Sequence, residues 1–192
     1  MNFFIYDKLF KKKIMTQQMI KKVKKNLLKM LKKRKYNINL FETDENKMYI
    51  PKEIMVYFIL SSQLKPNLLK QEFEKIKKIE ISFKKLIIIV LKKPTNSLIK
   101  ITKLHKKEFD LQLFWCEELM IDKINHRLVP KHILIDNQEE IEYIKKKVKI
   151  NELLNLPYIL RTDPIVKYYD AKPGNIFKIN RTCKYTYYRY VY

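Results

Sequence analysis

The residue types that carry catalysis or hold metals are sparse in this chain and poorly spaced for either. His126 and His132 stand six apart in HRLVPKH, a spacing that suits neither one helical face nor a usual metal pair. Each reads more simply as a hydrogen-bonding structural histidine. Cys116 and Cys183 form no CxxC pair and have no histidine at ligand spacing. No metal site and no disulfide framework are expected, and a reducing compartment is. A nuclease would need clustered acids plus a lysine around a strand, and Glu80 near Lys84 and Lys85 is too loose a group. Gly174 is the chain's one glycine, which excludes a glycine-rich phosphate loop, and neither a nucleophile elbow nor HExxH is present. What remains is recognition: no catalytic residue, no cofactor and no small-molecule substrate are expected.

The charge says what could be recognised. Lys+Arg number 42 against 20 Asp+Glu, a formal net charge of +22, and such an excess neutralises phosphate and releases counterions. A skew toward Lys, Ile, Asn and Tyr, with alanine only at Ala171, is also what an AT-rich genome imposes on neutral positions, so location outweighs the sum. Residues 1–122 carry 28 basic against 13 acidic side chains and residues 123–192 carry 14 against 7; within 1–35, 13 basic residues face only Asp7. A polyanion should meet the N-terminal part first.

The elements that must position these groups follow from periodicity. Residues 14–34 set Ile20, Val23, Leu27, Met30 and Leu31 at helical spacing with lysines on the other faces. A core-packing helix with a solvated lysine face fits, and so does a membrane-surface or calmodulin-target helix. IMVYFIL (54–60) and LIIIVL (86–91) read as buried strands. Both are too short to span a bilayer, and NFFIYDKLF lacks the basic start and cleavage site of a signal peptide, so a soluble intracellular protein is expected. Asn67 can cap a helix through Leu69, Phe73, Ile76 and Ile79, and another should start near 95–97 and cover Leu98, Ile101 and Leu104. There Lys92, Lys93, Thr95, Asn96 and Ser97 form a strand-to-helix junction whose free N–H groups could meet phosphate, or simply cap a helix.

After LQLFWCEELMID (111–122) the character changes. His132 to Ile135 reads as a short strand, and Asn137 with Glu140 three residues on starts a helix through Ile141, Ile144 and Val148. Tyr158 to Leu160 is a further strand, and Asp163–Pro164 opens a second helix, IVKYY. Pro173 and Gly174 fit the centre of a type II turn, whose second central residue needs positive φ. IFKINR (176–181) and YTYYRYV (185–191) then form a hairpin closed by Thr182, Cys183 and Lys184. The expectation is α+β overall: an α/β domain over 1–122 followed by a small α+β domain over 123–192 that ends in a β-hairpin.

HRLVPKH (126–132), LPYILRTDPIVKYYDAKPGNIFKINR (156–181) and YTYYR (185–189) resemble, in order and at nearly full spacing, the RNA polymerase subunit shared by eukaryotic polymerases I, II and III, and its archaeal counterpart. LIIIV, TNSLIK and FDLQLFWCEELMI resemble its eukaryotic N-terminal domain more faintly. The TCK connection is shorter than the family's loop, Asp170 replaces a usual glycine, and Asn96 stands where proline is frequent. The resemblance implies a non-catalytic subunit. Residues 1–122 would be a jaw-type domain that puts Lys92, Lys93, Thr95, Asn96 and Ser97 near downstream DNA. Residues 123–192 would be an assembly domain on the largest polymerase subunit. Its contacts would come from His126, Leu128, Val129, Pro130 and His132; from Arg161, Asp163, Pro164 and Tyr168; from Lys172 and Gly174; and from Arg181, Tyr185, Tyr188 and Arg189. Tyrosine and arginine are common interface anchors, although a tyrosine stripe in a strand is equally ordinary packing. The location implied is the nucleus or a nucleomorph, or, given the reduced-genome composition, a cytoplasmic viral factory. A free-standing basic nucleic-acid-binding protein, or an interaction protein that borrows this domain, are the alternatives.

Overall fold

The computed structural model describes residues 3–44, 47–61, 63–79, 82–106, 108–181 and 185–192, with backbone alone over 3–16. It is 40% helix and 26% strand, an α+β content as expected. The described chain clusters into two units, one holding residues up to Lys32 with Tyr36–Ile121, the other Lys33–Lys35 with Asp122–Tyr192.

The first unit opens with α1 (Phe3–Lys33). The expected helix over 14–34 starts earlier because no proline, glycine or cap interrupts FFIYDKLFKKKIM. Val23, Leu27, Met30 and Leu31 are fully buried, and the Lys24 ammonium lies 5.4 Å from the Phe58 ring. A five-stranded sheet follows in the order β1 (Glu42–Asp44), β2 (Lys47–Ile50), β3 (Ile54–Ile59), β4 (Lys85–Val90), β5 (Asp110–Trp115). The first three are antiparallel neighbours, and β3, β4 and β5 are parallel. Parallel neighbours need crossovers, supplied by α2 (Pro66–Lys77) and α3 (Asn96–His105), and the short α4 (Cys116–Met120) follows β5. All six positions of β4 are buried, as expected of a central strand covered on both faces. Met55, Ile59, Leu86, Ile88 and Val90 meet Leu69, Phe73, Ile76 and Leu98 on one face. Phe58, of opposite parity, points to the α1 face.

Three expectations change here. Lys65, not Asn67, holds the cap position of α2, without a side-chain cap bond; Pro66, with fixed φ and no N–H to satisfy, starts the helix and leaves Asn67 inside its first turn. On α3 Leu98 is buried and Ile101 packs on the same core, as expected, but Thr102, one turn on from Leu98, takes the third inward place and Leu104 is 70% exposed. The strands β1, β2 and β5 extend the expected strand–helix–strand–helix unit.

The second unit is a four-stranded sheet in the order β6 (Lys131–Ile135), β8 (Ile176–Asn180), β9 (Thr186–Val191), β7 (Tyr158–Ile159). The expected hairpin is β8 and β9, antiparallel; its connection, 182–184, lies outside the described residues, as does Glu80. The alternation of β8 supplies two cores. Phe177 and Ile179 meet Ile165, Val166 and Ala171, from α6 (Pro164–Tyr169) and its exit, while Ile176 meets Ile144 of α5 (Gln138–Val148). The Asn137 side chain accepts from the Glu139 N–H at 3.0 Å. Glu140 takes Lys178 of β8 as an ion-pair partner at 3.3 Å.

Candidate assembly surface

The motifs of the second unit converge on α6. At its start the Asp163 carboxylate accepts from the Ile165 N–H at 2.8 Å, with Pro164 in the first turn. At its end Asp170 adopts the left-handed conformation, φ 56°, and its N–H donates to the carbonyls of the last turn. The Arg34 guanidinium completes that end, donating from Nε to the Tyr168 carbonyl and from Nη2 to the Lys167 carbonyl, both at 2.9 Å. A cation there also complements the helix dipole.

Gly174 follows at φ 95°. The Asn175 N–H donates to the Lys172 carbonyl at 3.1 Å, which closes the turn around Pro173 and Gly174. Gly174 then donates its N–H to the Val191 carbonyl at 3.0 Å, and Val191 donates to the Asn175 carbonyl at 2.9 Å. The turn is thereby fastened to β9.

HRLVPKH folds against the same helix. The His126 ring Nδ1 accepts from the Leu128 N–H at 3.3 Å, and the His132 Nδ1–H donates to the Pro130 carbonyl at 2.7 Å. The Tyr169 hydroxyl donates to the His132 carbonyl at 2.9 Å, and both rings stand edge-on to Phe177. Val129 packs on this core and Pro130 is half-buried. Burial, with Asp122 nearby, pushes the Tyr168 phenol up to about 12. His132, Asp163, Gly174 and Tyr168 therefore shape this surface from within. Tyr188 does so entirely: it is 8% exposed and its ring belongs to the α5-side core, so its part is packing and not presentation.

Other positions reach solvent. Leu128 is 77% and Tyr185 62% exposed, and Arg161, Pro164, Lys172 and Arg181 are exposed too. Arg181 lies 5.2 Å from the Tyr187 ring, and Arg189 donates to the Tyr158 carbonyl at 2.8 Å. Beside β7 stands an apolar strip that motif reading passed over: Leu154, Tyr158, Leu160 and Tyr192, each about half exposed or more. Tyr158 is 5.4 Å from Tyr192, ring to ring. Period-two alternation in YIL, which turns Ile159 inward and Tyr158 and Leu160 outward, was the available signal. Neighbouring exposed apolar side chains of this kind make a candidate partner contact.

In the first unit, Lys92, Lys93, Thr95, Asn96 and Ser97 are all exposed at the start of α3, and Thr95 makes no side-chain cap bond. Among the described residues no group of three metal-ligating side chains occurs, and no helix is long and apolar enough to cross a membrane.

The family model for the C-terminal domain of RNA polymerase Rpb5 matches residues 121–191. A DNA-directed RNA polymerase subunit Rpo5 of Sulfolobus acidocaldarius is 41% identical over 76 residues, 37% of this chain and 87% of the relative. The chain belongs to the Rpb5/Rpo5 family. Members of eukaryotic type extend the likeness upstream. The subunit rpabc1 of RNA polymerases I, II and III of Dictyostelium discoideum is 25% identical over 176 residues, 83% of this chain and 88% of the relative. The RNA polymerase V subunit 5A of Arabidopsis thaliana is 30% identical over 129 residues, of whose own length the match covers 56%. The Rpb5 match begins one residue before the Asp122–Tyr192 segment of the second unit, so the family's C-terminal domain and the sheet around α6 are the same stretch of chain.

Proposed function

We propose that this protein is a non-catalytic subunit of a DNA-directed RNA polymerase. Residues 123–192 serve as the assembly domain and dock on the largest subunit, while residues 1–122 form a jaw-type domain beside downstream DNA, in the nucleus. The observation that carries the reading is the Rpb5-matching stretch with its uncovered strip at Leu154, Tyr158, Leu160 and Tyr192. Half-exposed tyrosines and leucines on a rigid sheet edge are what a partner chain can desolvate. On the jaw side, the free first-turn N–H groups of α3 and the ammonium groups of Lys92 and Lys93 offer phosphate a point of contact.

Native purification is the decisive experiment. The protein should co-elute at equal stoichiometry with the very large polymerase chains, and photo-crosslinkers at Lys93 and Asn96 should reach template in the assembled enzyme. A free-standing nucleic-acid-binding protein, which the net charge of +22 would also allow, would elute without those chains and bind DNA by itself.

A further inference from the structure

We infer that the lysine face of α1 is a docking groove for an acidic, amphipathic helical segment of a partner protein. A depression of about 450 Å³ runs along this helix, with Lys21, Lys24, Lys25, Lys29 and Lys32 around Leu28 and Ile38. Its floor is almost wholly apolar, made by Leu28, Ile38 and the methylene stems of the lysines. Lys21, Lys25 and Lys32 have no carboxylate partner among the described residues, so the rim presents uncompensated positive charge.

The occupant follows from that combination. Lysines three and four residues apart on α1 stand about 4.5–6 Å apart along its axis. Carboxylates at i, i+3 and i+4 of a second helix repeat at the same distance. Apolar side chains between them would reach Leu28 and Ile38, as in other helix-in-groove complexes. From Lys21 to Lys32 is about 16 Å, room for roughly three turns of partner helix. Nucleic acid fits less well. The lining has no aromatic ring on which a base could stack, and phosphate above an apolar floor would lose water without gaining a donor there.

The test uses the full chain and a labelled peptide of about three helical turns, carrying glutamates and leucines at helical spacing, with polyglutamate of equal charge as control. The peptide should bind about tenfold more tightly than polyglutamate, a ratio within reach of one or two buried leucines. Leu28→Ser with Ile38→Ser should reduce it to the level of polyglutamate. Lys25→Glu with Lys32→Glu, both on the exposed rim, should abolish binding while leaving the circular dichroism unchanged. No binding of the peptide, or wild-type binding by the lysine pair, overturns the proposal. So does equal affinity for polyglutamate, or ready displacement by duplex DNA with no dependence on Leu28, either of which makes this face a general polyanion surface.

Discussion

At Gly174 an added Cβ would meet nothing within 4 Å, so the demand for glycine comes from its φ of 95° alone. Gly174→Ala should therefore cost about 1–2 kcal/mol through the backbone, and Gly174→Val more, because a β-branched side chain is a steric outlier at positive φ. Urea unfolding reads both, and a wild-type midpoint for the valine variant would refute the account. Asp163→Ala should cost about 1 kcal/mol by leaving the Ile165 N–H without its acceptor. These positions were legible in the sequence because their chemistry is local: Asp-Pro opens a helix and Pro-Gly closes a turn whatever surrounds them. Tyr188 was not legible. YTYYRYV offers tyrosines to both faces of a strand, and only the arrival of α5 decides that Tyr188 is the covered one while Tyr187 stays 48% exposed.

For α6 the end is as instructive as the start. Arg34→Ala would remove two charge-assisted bonds from its last carbonyls and should cost about 2 kcal/mol. Arg34→Lys, which keeps the charge and loses the fork, should recover only part of it. Nothing near Arg34 in the sequence announces a partner more than a hundred residues away. Tyr168 gives the same helix an alkaline limit. Burial pushes its folded phenol up to about 12 from the ordinary 10.0, so its stabilising share is complete below pH 10 and is lost as the pH rises from 10 to 12. Denaturation midpoints across that window should fall less steeply in Tyr168→Phe; parallel curves would dismiss the phenol as the cause. Strands that alternate or run apolar, such as β3 and β4, were readable, whereas β5 was not. DLQLFW mixes Asp110 and Gln112 among its apolar residues, and Asp110 is there to pair with the nearly buried Lys85 at 3.0 Å, a cross-strand reason invisible in either segment alone.

On the scale of the whole molecule, packing and assembly should separate. Leu160→Asp with Tyr192→Ser touches only exposed positions, so melting should barely move while co-purification with the large polymerase chains falls several-fold. Equal recovery of the variant would place the docking surface elsewhere. The α+β class and the helices flanking the second sheet were foreseeable from local patterns, but its strand order was not, since nothing in KHILI or PYI says which neighbour each will take. That order, β6-β8-β9-β7, has a temporal side. Both outer strands precede both inner ones along the chain, so a ribosome delivers Lys131–Ile135 and Tyr158–Ile159 before any strand they pair with exists. At the usual pace of about 5–20 residues per second they wait several seconds with open edges. In the first sheet every strand after β1 finds its first partner already made, and only the second edges of β3 and β4 wait while α2 and α3 are synthesised. The nascent second half is thus the stretch that most needs a chaperone's cover.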